Sequence, residues 1–99
     1  MNILAVGDIV GTIGVKELQK RLQKIKNDYN VDFAIVNGEN AAEGMGITLK
    51  NFKDILSAGA DCVTMGNHTW GKKEIFSFID EPKLIRPANY PKSVCGKGY

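Results

Sequence analysis

The stretch Ile3-Leu4-Ala5-Val6-Gly7-Asp8, residues 3–8, is a short apolar run that ends in a glycine and an acidic residue. The same order recurs where Phe33–Val36 precedes Gly38-Glu39-Asn40 and where Cys62–Met65 precedes Gly66-Asn67-His68. Each apolar run is short, bounded by turn residues and separated from the next by a helix-like segment, a pattern that predicts buried strands. Because strand-helix-strand crossovers are right-handed in nearly all cases, this βαβαβ order predicts an α/β domain with a parallel sheet.

Between the first two runs, apolar residues recur at steps of three and four, which predicts an amphipathic helix on the sheet. These residues are Val15, Leu18, Leu22, Ile25 and Tyr29. Lysines and arginines fill half of the remaining positions and are expected to form a solvated face.

A second helix is expected to begin at Thr48, whose hydroxyl can cap exposed amides, and to stop at Gly59. Its inward residues are predicted to be Leu49, Phe52, Ile55 and Leu56. A shorter helix is expected at Lys72–Ile79, followed by a strand at Leu84–Arg86. No linker, repeat or low-complexity segment divides residues 1–99, which predicts a single domain.

The composition excludes several classes of protein. With 43% hydrophobic and 24% charged residues, the chain is typical of a soluble globular domain. A net charge of +2, with the basic residues dispersed, does not indicate nucleic acid as a partner. The beginning of the sequence lacks the features of a signal peptide or a membrane span, so a cytoplasmic location is expected. Cys62 and Cys95 have neither metal-ligand spacing nor a disulfide pattern, and they are expected to be reduced thiols.

The polar residues at the three strand ends indicate a metal site. Carboxyl ends of parallel strands share one edge of the sheet, where ligands bind, and each glycine is expected to let the backbone turn there. The predicted ligands are Asp8, Glu39, Asn40 and Asn67. These oxygen donors suit Mg²⁺, Mn²⁺ or Fe²⁺, and Glu39 is placed to bridge two such ions.

His68 is the predicted catalytic residue. It directly follows Asn67, so its imidazole is expected beside the same crevice, where it could protonate a leaving oxygen or stabilise charge on a phosphate. Two divalent ions can activate a bridging water in phosphoryl transfer, and the reaction implied is hydrolysis of a phosphate ester.

Each of these residues also has a purely structural interpretation. Asp8 can initiate a helix, Asn40 can complete the turn that begins at Asn37-Gly38, and a solitary histidine is commonly structural. The use of the same position on three strands, with donors of compatible hardness, favours the metal site.

A dinucleotide-binding fold is a second interpretation, because Gly7, Gly11 and Gly14 follow the first strand and Glu39 ends the second. The glycine spacing does not match that fingerprint, and Asp8 would place negative charge where a pyrophosphate lies against a helix N-terminus.

Three motifs resemble those of a known family. Residues 7–11 (Gly-Asp-Ile-Val-Gly), 37–44 (Asn-Gly-Glu-Asn-Ala-Ala-Glu-Gly) and 65–70 (Met-Gly-Asn-His-Thr-Trp) resemble the YmdB-like branch of the calcineurin-like metallophosphoesterases. The segment 86–91 (Arg-Pro-Ala-Asn-Tyr-Pro) resembles the same branch. The likeness covers essentially the whole chain.

The resemblance implies a four-layer α/β/β/α phosphodiesterase with a dinuclear metal centre that acts on cyclic nucleotides or related phosphodiesters. It places Asp8, Glu39, Asn40 and Asn67 at metal-ligand positions and His68 at the position of the catalytic histidine. Two features depart from the wider superfamily and are typical of this branch. Val10 stands where a ligand histidine often occurs, and Glu39-Asn40 replaces the usual aspartate-led motif.

The resemblance also implies further histidine ligands from later loops, whereas His68 is the only histidine here. The chain is therefore expected to be the N-terminal portion of a longer domain and to show little turnover by itself. A non-catalytic nucleotide-binding or regulatory module is the alternative function, and homo-oligomerisation is left open.

Overall fold

The computed structural model describes all 99 residues as a four-stranded sheet with two α-helices. The elements are β1 (Ile3–Val6), α1 (Gly11–Asp28), β2 (Phe33–Asn37), α2 (Leu49–Ala58), β3 (Cys62–Thr64), a 3₁₀-helix (Lys73–Ser77) and β4 (Leu84–Ile85). The strands are all parallel and lie in the order β1-β2-β3-β4. The predicted α/β class and the parallel βαβαβ order are confirmed.

Both α-helices pack on one face of the sheet. Val15, Leu18 and Leu22 of α1 belong to the same buried cluster as Ala34 and Val36 of β2, which are the alternate residues of that strand. All crossovers run in the same direction across the sheet, so right-handed connections bring both helices to this side. None of the helices is both long and apolar enough to cross a membrane.

The inward face of α1 is shorter than its sequence pattern predicts. Tyr29 forms the C-cap of α1 rather than a helical position, and its side chain is 73% exposed. Its backbone amide bonds back to the carbonyl of Ile25. The chain leaves the helical path at this point, so the three- and four-residue spacing no longer directs the side chain at the sheet.

α2 has the predicted boundaries. The Thr48 hydroxyl accepts from the amide of Asn51, and the Asn51 side chain accepts from the amide of Thr48, so the two residues cap the helix reciprocally. At the other end Gly59 has φ +121°, which favours glycine. Phe52 and Ile55 are buried, and Leu49 and Leu56 pack against the core from partly exposed positions.

The last two predicted elements are shorter than expected. The helix expected at Lys72–Ile79 is a 3₁₀-helix over Lys73–Ser77 with no side-chain cap at its start. β4 ends at Ile85, because the Arg86 amide donates to the carbonyl of Lys97 instead of a neighbouring strand. The Arg86 guanidinium donates to three further backbone carbonyls, at Pro87, Val94 and Cys95, and fastens the final segment.

Asp61 connects the helical layer to the sheet. Its Oδ2 accepts from the amide of Ala34 at 2.8 Å and from Lys26 Nζ at 3.0 Å. The bond from the Ala34 amide is the chief reason why the pKa of the Asp61 carboxyl lies below its ordinary value of 3.8, and Lys26 and Lys83 add to the effect.

The opposite face of the sheet has no helix on it. We call this the open face, formed by Ile3, Ala5, Phe33 and Ile35. Ile3 and Phe33 are register partners and remain 60% and 40% exposed. Parallel sheets are normally covered on both sides, so this apolar surface is unusual for the chain as it stands.

Candidate functional site

The carboxyl ends of β1, β2 and β3 are held together by backbone bonds that continue beyond the strands. The Ile9 amide donates to the carbonyl of Asn37 at 3.1 Å, and the Gly38 amide donates to that of Thr64 at 2.9 Å. The residues that follow these strands are consequently brought to one edge of the sheet, as the sequence predicted.

Asp8, Asn40 and His68 form a chain of side-chain hydrogen bonds across that edge. Asn40 Nδ2 donates to Asp8 Oδ2 at 3.1 Å, and Asn40 Oδ1 lies 2.5 Å from His68 Nδ1. Asp8 is exposed, while Asn40 and His68 are half-buried. The three residues come from three different strand ends and are separated by up to 60 positions in sequence.

The proton positions in this chain follow from its chemistry. An ionised carboxylate can only accept a hydrogen bond, so the Asn40 amide nitrogen donates to Asp8 and the Asn40 oxygen faces the ring of His68. His68 must then carry a proton on Nδ1. In the neutral ring Nε2 bears no proton and is free of Asn40.

Glu39 is fixed by a different set of contacts. Its Oε2 accepts from the backbone amide of His68 at 3.0 Å, and its Oε1 accepts from Asn37 Nδ2 at 3.3 Å. Asn37 Oδ1 also accepts from the Glu39 amide at 3.0 Å. Glu39 is thus oriented toward the loop that carries His68, and Asn37 is a supporting residue that a turn-signal interpretation of Asn37-Gly38 does not reveal.

Asn67, the fifth predicted site residue, is not bonded to the other four. The side chain of Asn67 is exposed, and no hydrogen bond joins it to Asp8, Glu39, Asn40 or His68. Its place at the end of β3 agrees with the prediction, but its role as a ligand stays a prediction.

The glycines at the three strand ends do not have the role expected of them. None of Gly7, Gly38 and Gly66 adopts a positive φ, so a sharp turn is not what requires glycine there. At Gly66 an added Cβ would lie 2.6 Å from Glu39 Oε2, and at Gly38 it would lie 2.8 Å from a methyl of Val63. These two glycines permit close approach, whereas a Cβ at Gly7 would meet nothing within 4 Å.

The loop after β2 also caps α1. The Asn40 carbonyl accepts from the amide of Gly11 at 3.1 Å, and Glu43 Oε1 accepts from the amide of Thr12 at 3.4 Å and from its hydroxyl at 2.8 Å. Glu43 has φ +52°, a left-handed conformation that costs a non-glycine residue free energy. A carboxylate therefore already lies at the α1 N-terminus, where the dinucleotide interpretation would need a pyrophosphate.

Two further side chains support the loop that carries His68. The hydroxyls of Thr69 and Tyr90 both donate to the carbonyl of Gly66, at 2.5 and 3.1 Å. Trp70 stacks between Phe76 and Tyr90, with ring centroids 5.3 and 6.3 Å away, so its role is packing. In the sequence, only its place in the segment 86–91 (Arg-Pro-Ala-Asn-Tyr-Pro) indicates that Tyr90 has a role near the site.

The largest cleft lies beside the site rather than in it. It has a volume of about 580 Å³, and its lining includes Tyr90, Lys92, Lys97 and Tyr99. None of Asp8, Glu39, Asn40 and His68 lines it. The Gly44-Met45-Gly46 segment is a connecting loop: the amides of Gly44 and Gly46 donate to the carbonyls of Asn40 and Glu39, and Gly46 packs its backbone against that of Gly71-Lys72.

The donor set at the strand ends consists of two carboxylates and two amides. No three His, Cys, Asp or Glu side chains of the chain are grouped so as to hold a metal ion. Hard oxygen donors of this type fit Mg²⁺, Mn²⁺ or Fe²⁺. The residues present supply donors of this kind but not a full set of ligands.

The whole chain is similar to known proteins. A family model described as YmdB-like protein matches residues 4–99. The chain belongs to the YmdB-like family. It is 52% identical over 99 residues to a 2',3'-cyclic-nucleotide 2'-phosphodiesterase of Bacillus subtilis (strain 168), a match that covers 99% of this chain and 38% of that protein.

Two solved structures have the same fold as this YmdB-like chain. One is a hypothetical protein from Thermus thermophilus, with a TM-score of 0.91 and 37% identity over 99% of this chain and 38% of that one. The other is described as a novel phosphatase from Mycoplasma pneumoniae, with a TM-score of 0.89 and 35% identity over 97% of this chain and 36% of that one. This chain therefore spans less than two-fifths of the length of the relatives it matches.

Proposed function

We propose that this chain supplies one part of the active site of a metal-dependent phosphodiesterase that hydrolyses cyclic nucleotides or related phosphodiesters. The observation that carries the proposal is the hydrogen-bonded chain of Asp8, Asn40 and His68, with Glu39 bound to the backbone of the same loop. The similarity to a 2',3'-cyclic-nucleotide 2'-phosphodiesterase supports the substrate class.

In the proposed site Asp8, Glu39, Asn40 and Asn67 would hold two divalent ions. When bound, such ions lower the pKa of a coordinated water and stabilise charge on the phosphoryl oxygens. The two carboxylates come from different strands, and placing a cation between them removes their mutual repulsion.

His68 is the residue proposed to protonate the leaving oxygen. The bond from Nδ1 to Asn40 fixes the ring, and the bond from its backbone amide to Glu39 fixes the loop that carries it. Nε2 is thus the ring nitrogen available to a substrate. A ring held from two sides needs less reorganisation to reach a reactive geometry.

The test uses the relative from Bacillus subtilis as a scaffold. Its matching segment is replaced by these 99 residues, and hydrolysis of 2',3'-cyclic AMP is measured with Mn²⁺ and after chelation. The hybrid should show Mn²⁺-dependent hydrolysis that falls at least about 100-fold in His68→Ala. Glu17→Gln is the matched control, because Glu17 pairs only with Lys20 and Arg21 on the surface of α1.

The 99-residue chain assayed alone is expected to show little or no turnover, because fewer donors hold the ions and water must fill the open positions. A folded hybrid that binds the nucleotide equally well with and without metal, but does not hydrolyse it, would instead identify a non-catalytic binding module. Robust metal-stimulated turnover by the isolated chain would contradict the need for further ligands.

A further inference from the structure

Arg86 is a buried cation without a carboxylate partner. The residue is only 8% exposed, yet it takes part in none of the ion pairs of the chain. Its guanidinium donates to the backbone carbonyls of Pro87, Val94 and Cys95, which leaves further N–H groups of the fork without a protein acceptor. Buried charges in proteins are normally paired with an opposite charge. The positive charge of Arg86 is therefore not neutralised by this chain.

Arg86 lines the largest cleft together with two more cations. Lys92 and Lys97 are exposed, belong to the same lining and form no ion pair. No aspartate or glutamate is among the lining residues. The cleft volume of about 580 Å³ lies within the range of about 300–1,000 Å³ that is typical of small-molecule sites. A concave surface that carries one sign of charge concentrates ligands of the opposite sign, so this cleft favours anions.

Two aromatic rings belong to the same lining. Tyr99 is 92% exposed, and Tyr90 is half-buried, with its hydroxyl bonded to the carbonyl of Gly66. Exposed rings beside cations suit a nucleotide, since nucleobases stack on aromatic side chains and phosphates bind lysine and arginine. The loop that follows Gly66 carries the candidate catalytic residue, so Tyr90 is a wall that the cleft shares with the candidate site.

We infer that this cleft is a second phosphate site, which binds a phosphate group of a nucleotide other than the phosphate that is hydrolysed. Arg86 supplies a fixed buried charge, and Lys92 and Lys97 add charges on flexible side chains. The ligand supplies the negative charge that the lining lacks. That this phosphate belongs to the substrate rests on the proposed function, because Tyr90 places the cleft next to the proposed reacting group.

Binding is tested on metal-free protein. The carboxylates of Asp8 and Glu39 then repel anions at the strand ends, so a bound phosphate reports on the cleft. The 99-residue chain carries a short Gly-Ser tail, which moves the terminal carboxylate of Tyr99 away from the cleft. The probes are 5'-AMP and adenosine, which differ only in the phosphate. We expect 5'-AMP to shift the backbone amide resonances of residues 96–98 at a concentration at least about 10-fold lower than adenosine does.

Substitutions of the two exposed lysines test which charges hold the phosphate. Lys92→Ala and Lys97→Ala should each weaken 5'-AMP binding by about 3- to 10-fold, and the double variant should lose the preference over adenosine. Lys97→Arg keeps the charge and should retain most of the binding. Lys53→Ala is the matched control, because Lys53 is exposed on α2, forms no ion pair and does not line the cleft. Amide spectra of every variant establish that the fold is kept.

The hybrid enzyme described above shows whether the phosphate belongs to the substrate. Its substrates are 2',3'-cyclic AMP with and without a 5'-phosphate. If the cleft holds a phosphate of the substrate, the 5'-phosphorylated form should have a KM about 10-fold lower. The double lysine variant should remove that difference without changing kcat or the KM of the unphosphorylated form. Equal KM values together with 5'-AMP binding would support the phosphate site and identify its ligand as a separate nucleotide.

Three results would overturn the inference: adenosine that binds as tightly as 5'-AMP, resonances of residues 96–98 that do not respond to 5'-AMP, and a loss of binding in Lys53→Ala equal to that in Lys97→Ala. A hybrid that hydrolyses no cyclic nucleotide, beside a chain that binds 5'-AMP in the cleft, would support the phosphate site and refute the proposed function. The two failures are therefore distinguishable.

Discussion

Gly66→Ala is the substitution that most directly tests how Glu39 is held. A Cβ at this position would lie 2.6 Å from Glu39 Oε2 and 2.7 Å from Cδ, and nearer still to Oε1. The φ of Gly66 is not positive, so the methyl group adds no backbone strain of its own. The carboxylate must move aside, and the His68 amide then loses its acceptor.

The expected cost follows from that lost contact. A hydrogen bond to a charged group contributes about 1.5–3 kcal/mol, and crowding in a packed site costs about 1–3 kcal/mol. The two are alternatives rather than a sum, because movement of the carboxylate relieves the crowding. We therefore expect Gly66→Ala to lower the free energy of unfolding by about 1–3 kcal/mol. For a domain of this size each kcal/mol lowers Tm by roughly 4–8 °C.

The assay is urea unfolding of four proteins: wild type, Gly66→Ala, Glu39→Ala and the double variant. In the Glu39→Ala background the methyl group meets no carboxylate, so the cost of Gly66→Ala should largely disappear. Gly7→Ala is the matched control, because its methyl meets nothing within 4 Å, and it should be neutral or stabilising by up to about 1 kcal/mol. A cost of Gly66→Ala that persists without Glu39, or that Gly7→Ala equals, would refute the steric argument.

Three more outcomes can be checked by simple measurements. Glu43→Ala removes the carboxylate that caps α1 and should cost about 0.5–2 kcal/mol in urea unfolding. Glu17→Gln, on the exposed face of α1, should cost clearly less, and equal effects of the two substitutions would contradict the capping role. The pKa of Asp61 is lowered, so its stabilising contribution is present above its ordinary value of 3.8 and is lost as the pH falls through the lower folded value. Asp61→Ala leaves the buried amide of Ala34 without its acceptor and should therefore lower the free energy of unfolding by about 1–3 kcal/mol at neutral pH, and by less in strong acid. A difference between the variant and the wild type that does not change with pH would argue against this linkage. Burial raises the pKa of the Cys62 thiol, so iodoacetamide should modify it more slowly than the exposed cysteine of the chain, with the difference disappearing in denaturant.

The sequence predicted the elements whose signals are local. The three apolar runs mark β1, β2 and β3, and reciprocal capping between Thr48 and Asn51 lies within one turn of α2. The helix predicted at Lys72–Ile79 is a shorter 3₁₀-helix over Lys73–Ser77, and no side chain caps its start.

The strand order explains why the predicted site residues lie together, but it does not explain how they are oriented. Asp8, Glu39, Asn40 and His68 stand next to strand ends, so topology alone brings them together. The contacts that orient them are non-local: Glu43 reaches Thr12 across 31 positions, and no short motif encodes that distance. The prediction that glycine is needed at position 66 to let the backbone turn is also wrong. Glycine is needed there because the Glu39 carboxylate, which comes from another strand end, lies against it.

The open face has a thermodynamic consequence. The denaturant dependence and the heat capacity of unfolding both scale with the surface that folding buries. A sheet with Ile3 and Phe33 still in water buries less apolar surface than a fully covered one, so the isolated chain should unfold with a shallow denaturant slope and a flat stability curve. Any apolar layer laid on that face would add about 25 cal/mol for each Å² removed from water, and with it a steeper, more cooperative transition.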